Sequence, residues 1–271
     1  MKRIFNCMFF VLMASFLLIG CSSKTDNGAE SESGKGKVLA NIKDTGKLTV
    51  GFEGAYMPFN FLKDNGKDYD GFDVDISSEI AKRLGVEVEF VATPWDGLIG
   101  GLKADKFDII IAQMSITEER KKSVDFTDPY VETGGVLITR NDTNDITKLE
   151  DIAGKKVGVG GGTTFEEVVR GVSDAKVQTY KNVNEYIQDL MNGRLDVIMN
   201  DQLVMGYNIK NQNLPIKITS DIVNKDLIGM AVKKGNEDFI SEVNKALAEM
   251  KKDGTYTTIY KKWFGVEPTL Q

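Results

Sequence analysis

The sequence contains no histidine and only two cysteines, Cys7 and Cys21. Without histidine it lacks the commonest general base and the commonest metal ligand. Both thiols fall within the first 21 residues. A body folded from the remainder has no disulfide, no thiolate metal site and no cysteine nucleophile. These absences exclude most hydrolase and zinc chemistry, and no catalytic residue, metal or cofactor is expected. Basic charge is also short, with 34 Lys and Arg against 40 Asp and Glu, a net charge of −6. An acidic chain is a poor ligand for nucleic acid and for anionic lipid surfaces. A long apolar run is missing too. The best stretch, Phe5 to Ile19, has about 15 residues, and a membrane-spanning helix wants roughly 20.

That stretch reads as an address. Met1-Lys2-Arg3 supplies a positive start, and the apolar run is broken mainly by Asn6, Cys7 and Ser15. Leu18-Ile19-Gly20-Cys21 then sets a small residue before a cysteine. This is the order of a secretory signal peptide. The ending resembles the lipobox of bacterial lipoproteins, in which Cys21 is acylated and becomes the new N-terminus. An uncleaved anchor is the alternative reading. Residues 1–20 are therefore expected to be a signal peptide. Losing them removes Lys2 and Arg3 and takes the charge from −6 to −8. Residues 21–37 are mostly small and polar with little to bury, and read as a flexible tether. Its reach is roughly 20 Å. The mature body is expected outside the cytoplasm, lipid-anchored to the cell membrane.

From Val38 on, short β-rich runs alternate with amphipathic helices. Leu48–Phe52 reads as a strand and Val74–Leu84 as a helix with one apolar face, stopped by Gly85. Val86–Val91 alternates as a half-buried strand does, and Trp95–Leu102 reads as a helix. Phe107–Ala112 is a continuous apolar run suited to a buried parallel strand. The second half repeats the theme. Strands are predicted at Lys156–Val159, Val177–Tyr180, Leu195–Met199 and Leu227–Val232. Helices are predicted at Thr164–Arg170, Val183–Met191, Asp201–Lys210, Phe239–Lys251 and Thr255–Trp263. Such alternation implies an α/β fold with largely parallel strands, and two runs of it imply two lobes.

Three segments at strand ends, where open α/β sheets bind ligands, are candidates for chemistry. Gln113-Met114-Ser115-Ile116-Thr117-Glu118-Glu119-Arg120 follows the strand Phe107–Ala112. Ser115 with Glu118 fits a capping box, and Arg120 adds a planar cation that fits a carboxylate. Together they suit an anionic group, or else form a helix cap followed by a solvated arginine. Gly160-Gly161-Gly162-Thr163-Thr164 joins a strand to a helix, where glycines admit close backbone approach. It lacks the Gly-Lys-Ser/Thr ending of a phosphate loop, and a plain tight turn is the alternative. Asn200-Asp201 places a carboxylate where it could meet an ammonium or simply cap the next helix. Tyr56 and Trp95 stand in loops after strands, as ligand clamps or core plugs. Glu53, close to Tyr56, faces the same cleft or is a solvated loop acid.

In order and spacing these segments resemble the polar-amino-acid solute-binding proteins of bacterial ABC importers. The resemblance runs from Leu48 to Gly265. It is carried by Val50-Gly51-Phe52-Glu53, Tyr56-Met57-Pro58-Phe59, Gly71-Phe72-Asp73, Trp95-Asp96-Gly97, Met114 through Arg120, Val124 through Tyr130 and Gly162-Thr163-Thr164. Gly193-Arg194-Leu195-Asp196 and Lys262-Trp263-Phe264-Gly265 complete it.

The resemblance implies a two-lobed fold of the periplasmic-binding-protein type II kind with a double-strand hinge. Lobe 1 would be 38–132 plus 227–271, and lobe 2 would be 133–226. It implies that Arg120 binds the ligand α-carboxylate, helped by Gln113, Met114 and Ser115 and by the Thr163-Thr164 turn. It implies that Asp201 binds the α-ammonium, and that Tyr56 and Trp95 stack on the side chain. A zwitterion needs one cation and one anion as partners, desolvated together so that neither is left unpaired. Glu53 is compatible with a cationic ligand side chain, while lysine, arginine, histidine, glutamine and cystine all stay open. The expected function is the extracytoplasmic binding component of an importer: a monomer that delivers a polar amino acid to a permease and ATPase complex. The alternatives are a dehydratase-like enzyme on the same scaffold and an amino-acid-sensing lipoprotein.

Overall fold

The computed structural model describes residues 36–270. The signal sequence, Cys21 and residues 21–35 of the expected tether lie outside the described residues. Among the described residues no helix is long and apolar enough to cross a membrane. The first described helix, Lys37–Thr45, starts at the last residue of the expected tether. It is held by one fully buried side chain, Ile42.

One sheet organises the body. Its strands run in the order Lys176–Tyr180, Lys156–Gly160, Val197–Asp201, Val131–Arg140, Asn224–Val232, Ile109–Ser115, Lys47–Phe52 and Glu87–Ala92. Each end of this order is a parallel trio. Lys156–Gly160 is flanked in parallel by Lys176–Tyr180 and Val197–Asp201. Lys47–Phe52 is flanked in parallel by Glu87–Ala92 and Ile109–Ser115. The middle differs from the expected largely parallel arrangement, because Val131–Arg140 and Asn224–Val232 pair antiparallel with each other and with their outer neighbours. These two strands carry the chain from one trio to the other and back, so their directions are opposed. The result is the expected α/β fold of two lobes.

The two joining strands pair from Val131 opposite Ile228 to Gly135 opposite Asn224. Beyond Gly135 the first strand pairs with Val197–Asp201, and beyond Ile228 the second pairs with Ile109–Ser115. Side chains are small where they cross because space is. A Cβ on Gly134 would lie 2.4 Å from the Asn224 carbonyl oxygen, and one on Gly135 would lie 2.4 Å from Asn224 Oδ1 and 2.5 Å from Met199 Cε.

The remaining elements follow the hydrophobic pattern closely. Phe72–Leu84 buries Val74, Ile76, Ile80 and Ala81, and Gly85 ends it in the left-handed conformation. Thr164–Arg170 and Val183–Met191 form as predicted. Trp95 starts a 3₁₀ turn, Trp95–Gly97, before the helix Leu98–Lys103. Glu87–Ala92 alternates because it is an edge strand, and every residue of Ile109–Ser115 is buried because that strand is paired on both sides. The first lobe also carries a small three-stranded sheet, Ala55–Tyr56, Asn60–Leu62 and Tyr69–Asp70.

Gly135→Ala is expected to destabilise the protein by about 1–3 kcal/mol, the cost of forcing volume into a filled site. Urea unfolding measures this, and a control Gly193→Ala, in a turn where an added Cβ meets nothing within 4 Å, separates packing from left-handed strain.

Candidate functional site

Both parallel trios point their carboxyl ends into one cleft. Glu53 follows Lys47–Phe52, Trp95 lies beyond Glu87–Ala92, and Ser115 ends Ile109–Ser115. From the other lobe, Gly161 to Thr164 follow Lys156–Gly160, Lys181 follows Lys176–Tyr180, and Asn200 and Asp201 end Val197–Asp201. Between them lies a cleft of about 560 Å³, counting its open mouth. Of the residues singled out from the sequence, Glu53, Tyr56, Trp95, Gln113, Ser115, Arg120, Thr163 and Thr164 line it. Met114 and Asp201 do not: both side chains are buried behind it.

Arg120 is the cation of the cleft. Its guanidinium donates to the Ser115 carbonyl at 2.9 Å and, across the cleft, to the Gly162 carbonyl at 3.2 Å, and it sits 5.2 Å from the Trp95 ring centroid. Burial pulls its pKa down, and Asp226 and Glu167 push it back up. No carboxylate comes within ion-pair distance of it among the described residues. Two carbonyls engage two of a guanidinium's five donors, which leaves donors for an anion. The local helix differs from the expected one. Thr117, not Ser115, is its cap, accepting from Arg120 N at 3.1 Å, and the helix Glu118–Lys121 has only four residues. Ser115 stays in the strand because that strand continues three residues past the predicted end to pair with Ile228.

The opposite wall is the glycine-threonine turn. Thr163 caps Thr164–Arg170 and donates to the Gly160 carbonyl at 2.7 Å. Glu166 closes the turn by accepting from Gly162 N at 2.7 Å. Thr164 Oγ1 lies 3.4 Å from Ser115 Oγ and donates to Asp226 Oδ2 at 3.1 Å. Further bonds cross the cleft. Trp95 Nε1 donates to the Gly162 carbonyl at 3.2 Å, and the Tyr56 hydroxyl donates to Asn200 Oδ1 at 2.6 Å.

Asp201 is fully buried. Its Oδ1 accepts from Leu203 N and Val204 N, capping the helix Gln202–Gln212. Its Oδ2 accepts from Thr133 Oγ1 at 2.7 Å and from Gln113 Nε2 at 3.0 Å. Those four bonds fill the carboxylate's acceptor sites. Of the four donors, only Gln113 lines the cavity.

Gln113 is itself held in place. Its φ of 53° is left-handed, rare for a residue with a Cβ. Its backbone N–H donates to the Tyr130 hydroxyl at 3.1 Å, and that hydroxyl donates to Asp73 Oδ1 at 2.7 Å. Asn60 Nδ2 donates to Asp73 Oδ2 at 2.8 Å. A relay of buried polar groups thus fixes the cleft from inside the first lobe.

Sequence reasoning missed Asn200 as a partner, Tyr186, Lys181 and Asp226. Tyr186 sits at core spacing in an amphipathic helix, Lys181 has the pattern of any loop lysine, and Asp226 lies one residue before the strand predicted at Leu227–Val232. Asn200 was visible only as the neighbour of Asp201.

The sequence from 48 to 266 matches the family model for bacterial extracellular solute-binding proteins, family 3. The chain belongs to that family. It is 39% identical over 262 residues to the L-cystine-binding protein TcyJ of Escherichia coli strain K12, covering 95% of each chain. It is 35% identical to the ABC transporter glutamine-binding protein GlnH of Bacillus subtilis strain 168, covering 99% of each. Among solved structures it resembles an ancestral arginine-binding protein bound to glutamine, with 46% identity and a TM-score of 0.77 over 82% of this chain and 99% of that one. The chain is a solute-binding protein rather than an enzyme, which sets aside the dehydratase alternative, and its place is extracytoplasmic.

Burial raises three carboxyls of the site and its support, Glu53 to about 7, Asp73 to about 7 and Asp201 to about 6. Between roughly pH 4 and 7 the folded protein therefore binds more protons than the unfolded chain, and its stability falls as pH rises through that window. Thermal unfolding at about pH 5 should give a higher Tm than at about pH 7.5, and Glu53→Gln should shrink the difference.

Proposed function

We propose that this chain is the binding component of an amino-acid ABC importer, closing its two lobes on one polar amino acid and presenting it to a permease and ATPase complex. The observation that carries this reading is Arg120: a cation walled in by both lobes, with donors to spare and no carboxylate within ion-pair distance among the described residues. A ligand carboxylate supplies the missing charge in a charge-assisted, bidentate geometry. The α-ammonium goes to Asp201 by displacing Gln113 Nε2, the one donor reaching that carboxylate from the cavity. Arg120 and Asp201 belong to different lobes, so a ligand that pairs with both favours the approach of one lobe to the other. Tyr56 and Trp95 flank the side chain. Named ligands of the relatives, cystine and glutamine, fall within the polar amino acids.

In this reading lobe 1 is 38–132 plus 227–271, lobe 2 is 133–226, and the paired strands Val131–Gly135 and Asn224–Ile228 are the hinge. Residues 1–20 are a signal peptide, and residues 21–37 tether a monomeric body to the membrane through acylated Cys21. Two or more acyl chains are needed for stable anchoring, at about 0.8 kcal/mol per buried CH₂.

The test is thermal unfolding of the mature protein, refolded to strip carried-over solute, against the common amino acids and cystine. A ligand at 100 times its Kd adds about 2.7 kcal/mol, a readily measured shift in Tm. Shifts with one or a few polar amino acids support the reading, and no shift with any of them defeats it. Arg120→Ala should weaken the responding ligand by about 2–5 kcal/mol, roughly 30-fold or more, with little change in unliganded stability. Asp201→Asn should weaken it comparably, and full affinity in either variant would refute that residue's role.

A further inference from the structure

One zwitterion does not use all the charge in the cavity. Glu53, from the first lobe, and Lys181, from the second, line the same space as Arg120. Neither lies within ion-pair distance of an opposite charge among the described residues, and they do not pair with each other. Neither makes a side-chain hydrogen bond to another described residue, whereas Thr163, Thr164, Tyr56 and Asn200 are all engaged.

Arg120 feels Asp226 and Glu167. Glu53 acts on the hydroxyls of Tyr56 and Tyr186, and Asp201 acts on that of Tyr56 as well. Lys181 sits on the same wall as Tyr186: it directly precedes Asn182, the cap of the helix that carries Tyr186, and Tyr180 before it packs its ring 5.7 Å from that of Tyr186. Aromatic side chains, Tyr56, Trp95 and Phe165, line the same space. Beyond Arg120, the cavity lining therefore holds one anion and one cation that have no partner among the described residues, with ring surface beside them.

Building on the amino-acid reading above, we infer a second zwitterion subsite, with Glu53 receiving an ammonium and Lys181 a carboxylate. The preferred ligand is then an elongated diamino dicarboxylic acid: two amino-acid heads joined by a short apolar, thioether or disulfide spacer. A ligand with a lone cationic side chain fits less well, because it satisfies Glu53 but sets its charge beside Lys181. Glutamine satisfies neither. Lys181 is exposed, so its own pair is solvent-weakened and worth only a few-fold in affinity. Reversing its charge turns that small attraction into a repulsion with a readable sign.

The test is titration calorimetry of the full mature protein and of Lys181→Glu and Glu53→Gln, with cystine, meso-diaminopimelate, lanthionine, arginine and glutamine. Both substitutions lie at side chains unpaired among the described residues and are nearly isosteric or exposed, and wild-type circular-dichroism spectra with cooperative melts confirm that the variants fold. In the wild type one of the three diacids should bind at least tenfold tighter than arginine and glutamine. Lys181→Glu should weaken that diacid about tenfold, leave glutamine within twofold and tighten arginine. Glu53→Gln should weaken the diacid and arginine but spare glutamine. Which diacid wins identifies the spacer. Arginine or glutamine binding tighter than every diacid overturns the second subsite and leaves the amino-acid reading standing, as does an equal effect of Lys181→Glu on all ligands. Binding of none of the five overturns the amino-acid reading itself, and this inference with it.

Discussion

Everything at the site depends on two antiparallel strands crossing between two parallel trios. A parallel trio alone presents its carboxyl edge to solvent, and loops there hold ligands only on one side. The crossing of Val131–Arg140 and Asn224–Val232 brings the second trio round so that its carboxyl edge faces the first. Glu53, Trp95 and Ser115 thereby meet Thr164, Lys181 and Asn200 across one space, although some 50 to 150 residues separate them in the chain. The glycines at the crossing are part of the same constraint. The strands approach so closely there that a methyl group would meet a carbonyl oxygen.

The electrostatics of the cleft follow from this convergence. Taking a guanidinium out of water is costly unless something pairs with it. Here carbonyl oxygens and an indole face take that part, and the acid nearest in influence, Asp226, is turned to Thr164. On the acidic side the balance differs. Asp201 is saturated by hydrogen bonds, whereas burial holds Glu53 partly protonated near neutral pH. The site thus holds one fully committed carboxylate and one uncommitted.

Much of the fold was legible because its elements are simple in pattern. Thr164–Arg170 and Val183–Met191 carry caps and periodicity that leave few alternatives, and the buried strand before Gln113 reads as an unbroken apolar run. The joining strand Val131–Arg140 was not legible from the residue pattern, and only the resemblance implied a double-strand hinge. Its Gly134 and Gly135 look like a loop locally, and only a partner some 90 residues away makes them a strand. For the same reason the antiparallel centre went unseen. At the site, residue types that announce chemistry, Arg120 and the threonine turn, were found. Residues defined by what they face, Tyr186 and Lys181, were not, since periodicity reports burial and not which cavity a side chain borders. Ser115 illustrates a local rule overridden: its capping-box spacing is correct, yet strand pairing with Ile228 claims it and moves the cap to Thr117.

The Gly162 carbonyl accepts from both Trp95 and Arg120 across the cleft. Those bonds, with that of Tyr56 to Asn200, contribute closing free energy that no solute has to provide. A solute then needs to supply only the remainder, and its differential affinity for the two states sets how far the population moves. The Gly162 carbonyl thus sets how much of the closure is left for a solute to supply: stronger bonds to it blur the distinction between occupied and unoccupied protein, and weaker ones sharpen it at the expense of affinity.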